Sequence, residues 1–352
     1  MLVRELYEKL PEPLKTEHTW RYSEYSFFVK DKEPKTIVQI NQNTKFESDK
    51  IEITKGDLFE PLTLKYPEKI TLHNLIHHKE KFSLDISKSG FYSFEQKLLG
   101  EYNILRTQIR IANNIETDLI ISLSDELKNS TNNNVIEIEA QENSKVRIFF
   151  DNHFLNSYIH NFIYLDMKDN TDVRLLFSTF NPKYEKTHVK ALINGVSSNF
   201  IVFILAKLSN NDHVDYRTEN VHLKSNSKSL SVYRSIVNDQ ARSIYTGMLR
   251  IEKEAKYCNA YQNSRNILLS EKARVETIPE LEILNQEVAC THGAVVSSLD
   301  EESIYYFMSR GVSREEAIKL LTDGFLLDKL EDNFGEKLYS IIYRKVTGEE
   351  HI

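Results

Sequence analysis

The strongest constraint on the fold is a long run of short strand signals with no helix between them. From about Ile70 to Val288, β-branched and aromatic runs alternate with polar turns: Leu119–Leu123, Val146–Phe150, Val173–Phe177, Ser231–Val237 and Ser243–Ile251. Branched and aromatic side chains pack well on a pleated surface, so such runs favour strands. No convincing helical pattern of ten or more residues interrupts them, which weakens a doubly wound α/β alternative. Glycine is scarce: Gly195 and Gly247 are the only two between Gly100 and Gly293. Tight hairpins need glycine or asparagine at positive φ, so they are disfavoured, although Asn-rich turns keep them open. Asn143-Ser-Lys-Val-Arg-Ile-Phe-Phe150 matches Asn170-Thr-Asp-Val-Arg-Leu-Leu-Phe177 at an offset of 27. A period in the twenties suits one coil of a β-solenoid. A β-sandwich remains the alternative.

The ends differ from this middle. Leu2 to Leu10 has helical spacing and is stopped by Pro11 and Pro13, which lack the donor and clash with the preceding turn. Mixed, irregular structure follows, and the only tryptophan, Trp20, is expected to be a packing anchor. From Leu299, Asp300 can cap a helix over residues 301–310, Gly311 can stop it, and Ser313-Arg-Glu-Glu316 forms a capping box for the next. Phe325, Leu326, Leu330, Phe334, Leu338, Ile341 and Ile342 then continue at three- and four-residue steps. The expected division is 1–65, mixed and helical; 66–298, the β core; and 299–352, helical.

Composition excludes some functions. Hydrophobic residues make up 40% and charged ones 28%, so the chain is globular rather than disordered. The net charge of −7 argues against nucleic acid as a partner. Residues 300 to 352 hold 12 acidic and 7 basic side chains and carry most of that charge. They form either a solvated cap or a docking surface for a basic partner. No apolar run approaches the ~20 residues that span a bilayer, and the N-terminus lacks the apolar centre of a signal peptide. A cytoplasmic location is expected. Cys258 and Cys290 belong to no Cys-x-x-Cys pair, so spacing excludes a zinc ribbon. Walker A, GxGxxG, HExxH and GxSxG motifs are all missing from the sequence. The chain is therefore expected to bind no nucleotide and to borrow energy from an ATPase.

An ordered set of segments carries a resemblance. His213-Val-Asp-Tyr-Arg-Thr218, Ser235-Ile-Val-Asn-Asp239, Tyr245-Thr-Gly-Met-Leu249, Asn259-Ala-Tyr-Gln262, Ile267-Leu-Leu-Ser270, Pro279-Glu-Leu-Glu-Ile283 and Cys290-Thr-His292-Gly293-Ala294 follow one another. Together they resemble the core of the SufB/SufD family, scaffold proteins of iron–sulfur cluster assembly. Thr19-Trp-Arg-Tyr-Ser23 is similar to a segment near the family's N-terminus. The likeness is clear over about residues 210 to 350, and Cys290-Thr-His292-Gly293-Ala294 has the SufD form rather than the SufB form. The resemblance implies a right-handed parallel β-helix flanked by helical regions, and a non-catalytic scaffold role in the SUF machinery. It implies a SufC-type ABC ATPase docked on the C-terminal helices, and pairing with a SufB-type subunit or with a second copy. The docking candidates are Arg310, Gly311, Ala317, Leu320, Leu321 and Phe325. His292 is the leading candidate for cluster assembly, and Cys290 the second. No cofactor is expected to be held permanently, only a transient iron–sulfur cluster at an interface.

The chemistry agrees with this. A neutral imidazole can ligate iron, but one ligand cannot hold a cluster, so a partner chain must supply others. On a strand, residues i and i+2 share a face, so Cys290 and His292 could converge. The bland alternatives are a histidine capping the strand-to-helix junction and a buried structural cysteine; Cys258 is expected in the core. His213 and His222 are not expected to be metal partners of His292, because histidines on adjacent coils align by chance. His73, His77 and His78 have helical spacing and are expected as a surface cluster or pH-sensitive contact. Two other functions compete. A solenoid carbohydrate-active enzyme would need clustered carboxylates, with Glu282, Asp300 and Asp239 as candidates. A cupin-like metal protein would need a histidine–carboxylate cluster, for which His213 and Asp215 are a poor match.

Overall fold

The computed structural model describes residues 2–17, 19–30, 33–41, 49, 51–180 and 182–348. One sheet holds, in spatial order, β1 (Val38–Asn41), β4 (Gly90–Leu98), β6 (Glu116–Asp125), β8 (Lys145–His153), β10 (Asp172–Phe180), β12 (Asn199–Leu208), β14 (Lys228–Val237), β16 (Asn259–Leu268) and β18 (Ala289–Ser298). The facing sheet holds β17 (Arg274–Ile283), β15 (Arg242–Ile251), β13 (His213–His222), β11 (Tyr184–Ile193), β9 (Tyr158–Met167), β7 (Thr131–Ala140), β5 (Tyr102–Ile111), β3 (Glu80–Ile86) and β2 (Glu52–Thr54). From β3 onward consecutive strands alternate between the sheets, so eight strand pairs form eight coils. Neighbours run parallel; β1 and β2 are antiparallel additions at the start. This is a parallel β-solenoid. The sandwich alternative falls, because sandwiches of hairpins and Greek keys need antiparallel neighbours.

The offset of 27 is one coil. Val146 lies beside Val173, Arg147 beside Arg174 and Phe150 beside Phe177, whose rings stack at 4.4 Å. The turn residues repeat as well. Asn114, Asn143, Asn170, Ser197, Asn226 and Tyr257 all have positive φ. Asn170 Nδ2 donates to Asn143 Oδ1 at 2.9 Å, and the Asn170 N–H donates to the Val196 carbonyl of the next coil. Asparagine tolerates the left-handed region better than most residues. The Asn-rich turns are thus coil corners rather than hairpins, and they explain how a solenoid is built with so little glycine.

A continuous apolar core fills most of the lumen, including Phe94, Ile148, Phe177, Val202 and Ile204. The strands are also covered outside, so they read as near-continuous apolar runs. The N-terminal segment covers the second sheet. α1 (Leu2–Lys9) ends before Pro11, and Trp20 packs with Phe28 and Ile70 and stacks on His160. α2 (Leu62–Lys65) and α3 (Lys69–His77) lie against the same face, with Leu62 against Val135, Phe162 and Tyr164. The coils therefore begin at Glu80 rather than at residue 66, since residues 66–79 carry helical spacing.

The C-terminal helices cover the first sheet. α4 (Glu301–Met308) is capped by Asp300, and Gly311 takes φ 86 after it. α5 (Arg314–Leu327) is capped by Ser313, whose hydroxyl accepts the Glu316 N–H at 3.2 Å. The long amphipathic stretch is broken where Lys329 takes φ 64, and α6 (Leu330–Thr347) is kinked at Gly335. Leu326, Leu330, Phe334, Leu338 and Ile342 pack onto Phe149, Leu176 and Phe203. Basic side chains of the sheet fasten this arm. Arg234 donates to the Phe325 carbonyl (2.5 Å), the Asp328 carbonyl (3.0 Å) and the Asp328 carboxylate (2.6 Å). Arg174 donates to the Asn333 carbonyl at 2.8 Å, and Lys207 pairs with Asp323 at 3.0 Å.

Candidate functional site: the open end of the solenoid

Among the described residues β17 and β18 are the last strands of their sheets, and each leaves one edge without a sheet neighbour. On β16, Ala260, Gln262, Ser264 and Asn266 are the buried alternates and face the lumen. β18 continues that register: Cys290 lies beside Ala260, His292 beside Gln262, Ala294 beside Ser264 and Val296 beside Asn266. The pleat therefore turns Cys290 and His292 to the lumen face, at a mouth that no further coil closes. Opposite them β17 presents Leu281 and Ile283, in register with Leu249 and Ile251 of the coil below. Leu281 is 41% exposed, Ile283 41% and Val296 43%. These positions are core in the earlier coils; here the core is cut open.

His292 is exposed and lies within β18, well before α4 begins at Glu301. It is not a strand-to-helix cap, because pairing with β16 keeps the chain extended to Ser298. Cys290 is half-buried and packs against Leu249, Ile251, Ala255, Cys258 and Ala260. Burial pushes its thiol up, and nearby Cys258 adds to the shift. At neutral pH Cys290 is a thiol, so ligation there requires a metal to displace the proton. Cys258 is 2% exposed, with Sγ 3.3 Å from Ser227 Oγ, and belongs to the core.

The other candidates have local duties. His73 is buried between Tyr7 and Tyr102, with 3.1 Å to the Tyr102 hydroxyl, and burial pushes it down to about 4. It is not part of a surface cluster, because α3 turns it onto the solenoid. His213 stacks on Tyr184 at 4.2 Å, and His222 bonds Ser227 and Ser229 inside the lumen. Asp215 accepts from Lys186 at 2.8 Å, away from any histidine pair of the cupin kind. Glu282 lies 3.3 Å from Arg250, Asp300 caps α4, and Asp239 accepts the Asn210 N–H. These three carboxylates do not converge. Among the described residues no group of three or more His, Cys, Asp or Glu side chains is placed to hold a metal.

On the helical arm, Arg310, Gly311 and Leu320 are exposed, while Leu321 and Phe325 are half-buried. Ala317 is fully buried and supports this face from beneath. Sequence reasoning missed Tyr305 (72% exposed), Tyr306 and Met308, which extend the exposed apolar face along α4. Arg310 lies over the Tyr306 ring at 3.6 Å. Beside this face, α5 and α6 border a cleft of about 480 Å³ lined by Leu320, Asp323, Asp328 and Tyr339. Sequence reasoning did not single out Gln262, which lies buried beneath His292. Gln262, Ser264 and Asn266 are polar at every second position, in columns that hold Ser231, Tyr233 and Ser235 one coil earlier and Val202, Ile204 and Ala206 two coils earlier.

The fold and its mouth define a class: a parallel β-solenoid with an uncapped C-terminal end and a helical arm folded back on one sheet. Residues 94–325 match the family model for SUF system FeS cluster assembly, SufBD core domain. The chain belongs to the SufB/SufD family. It is 31% identical over 139 residues to the iron–sulfur cluster assembly protein SufD of Escherichia coli, covering 40% of this chain and 33% of that protein. It is 36% identical over 136 residues to SufD of Bacillus subtilis, covering 38% and 31%. With SufB of Bacillus subtilis it shares 29% identity over 135 residues, covering 38% and 29%. These matches span about a third of each relative's length. Among the described residues no helix is long and apolar enough to cross a membrane.

Proposed function

We propose that this chain is a scaffold subunit of SUF iron–sulfur cluster assembly. In this role its mouth pairs with a second scaffold chain, of the SufB type or a copy of itself, and its helical arm docks an ABC-type ATPase of the SufC type. The observation that carries the pairing is the uncapped end. Stacked coils bury a shared core, and a terminal coil without a polar cap exposes it. Two unpaired edges flank that exposed core, an arrangement prone to adding strands from another chain. His292 then lies at the seam, where ligands from the partner can complete an iron–sulfur site. The acidic arm, with Tyr305, Tyr306, Met308 and Leu320 exposed, supports docking of a partner with a basic groove.

The test is co-expression with the cognate ATPase and SufB-type chain, followed by size-exclusion chromatography. Wild-type protein should co-elute with both. Leu281→Asp with Val296→Asp should lose the scaffold partner and keep the ATPase; Tyr305→Asp with Leu320→Asp should do the reverse. His292→Ala should keep both partners and lower cluster maturation in a complementation assay. A folded protein that binds neither partner, or full maturation with His292→Ala, overturns the corresponding part.

A further inference from the structure

Gln262 is the least explained residue of the solenoid interior. It is 2% exposed, and neither the Nε2 nor the Oε1 of its amide has a hydrogen-bond partner among the described residues. Leaving a buried polar group unpaired is destabilising. The facing strand of the same coil adds a second cost. Gln262 lies over Gly247 of β15, where a Cβ would come within 2.1 Å of Oε1. Glycine inside a strand is weakening and marks a close approach. Gly247 is thus the residue that makes room for this amide. A leucine at position 262 would remove the unpaired amide, and earlier coils place Val202 and Leu175 in the same column.

Two destabilising choices at one place point to a use. The amide lies directly below His292 in the register of β16 and β18, with neighbouring strands about 4.8 Å apart. Both residues face the same lumen, at the mouth that the partner chain would cover. Cys290 lies on the same wall, one pleat earlier.

We infer that Gln262 is a ligand-binding residue of the mouth, whose amide N–H donates a hydrogen bond to a sulfur of the iron–sulfur species held at His292. The inference rests on the scaffold function proposed above. Sulfide and thiolate sulfurs bound to iron are acceptors, and hydrogen bonds to them tune such clusters. The floor of the mouth otherwise offers Ala260, Ser264 and Asn266, and the Asn266 amide already donates to Ser264 Oγ and the Val295 carbonyl, so Gln262 is the side chain there with an uncommitted donor. Its amide carries no charge and leaves the charge balance of the nascent cluster to the ligands.

The test uses the complex of this chain with its scaffold and ATPase partners, loaded anaerobically with iron and sulfide. Gln262→Leu should keep the complex and hold or raise the melting temperature. It should lower the cluster retained after gel filtration about tenfold, the loss of one hydrogen bond to a charged group. Gln262→Met, unbranched like glutamine, serves the same comparison if leucine does not fit beside Gly247. Retention equal to wild type in a folded variant overturns the inference and leaves the amide satisfied by internal water alone. A loss of cluster accompanied by an equal loss of stability overturns it too, since that marks a structural residue. His292→Ala separates the two claims. If it loses the cluster while Gln262→Leu does not, only the role of Gln262 fails. If neither does, or if the wild-type complex gains no cluster, both fail.

Discussion

Arg234→Met tests whether the arm is latched at one point. The Arg234 guanidinium is 6% exposed and bonds two carbonyls and one carboxylate at the elbow between α5 and α6. The two carbonyls, of Phe325 and Asp328, lie at a helix end that has no other cap there. Hydrogen bonds from a charged donor contribute about 1.5–3 kcal/mol each. Asp328 is half exposed, so its share is screened and small. Methionine keeps an apolar stem of similar length but gives up the guanidinium's place over the Phe325 ring, 5.5 Å from its centroid. The net loss is then about 3 kcal/mol, or roughly 150-fold in the elbow's opening equilibrium. The arm should stay docked, because Leu326, Leu327, Leu330, Phe334, Leu338, Ile342 and Val346 are buried on the sheet. Each contributes on the order of 1.5–3 kcal/mol. Hydrogen exchange read by mass spectrometry should therefore show a roughly 150-fold loss of protection confined to residues 324–334, with β6 to β16 unchanged. Protection at the elbow within about fivefold of wild type would refute the latch. Equal loss along the whole chain would show that Arg234 supports the global fold instead.

Two further predictions follow from the corners and the buried histidines. Asn170→Ala should lower stability by about 2 kcal/mol, from the left-handed backbone cost and the lost ladder bond to Asn143. Asn170→Gly should cost less than half as much, and equal midpoints in urea at constant m would refute the corner argument. Burial pushes His73, His213 and His222 each down to about 4. Between there and the unfolded value of about 6.5 the unfolded chain binds more protons, so stability is complete above pH 6.5 and falls as pH drops toward 4. Asp212, pushed up to about 6 by burial, works against this, as do Asp118, Glu139 and Glu185, whose carboxyls burial also raises, while burial lowers His77, His78 and His160 and so adds to the histidine side. The urea midpoint should fall clearly between pH 7.5 and 4.5, and a flat profile would contradict the buried assignment.

The parts of this fold that were legible in the sequence are those that local chemistry decides. Asp300, Gly311 and Ser313 act where they stand, because a cap needs only its own helix end. The strand runs were legible because burial on both faces leaves little polar alternation. The single repeat exposed the coil because Val146-Arg-Ile-Phe-Phe150 and its copy pair in register without insertion. The first 80 residues were less legible, since α2 and α3 owe their place to the sheet they cover.

The mouth was half legible, for a physical reason. The i, i+2 rule put Cys290 and His292 on one strand face, as the structure does, while their candidacy came from the family resemblance. What lies beneath them could not be named in either way. Gln262 meets His292 only through the ladder between coils, about thirty residues apart, and Gly247 faces Gln262 across the lumen; one added corner residue would flip a whole strand's faces. A polar residue at an inner position looks like an ordinary outward one until that register is known. The mouth's geometry is set by backbone ladders stacked over eight coils rather than by a loop, so under the proposed function a partner would meet a preformed edge. The cost of the unpaired amide and the strand glycine is borne by the core below, which is continuous, apolar and fully buried.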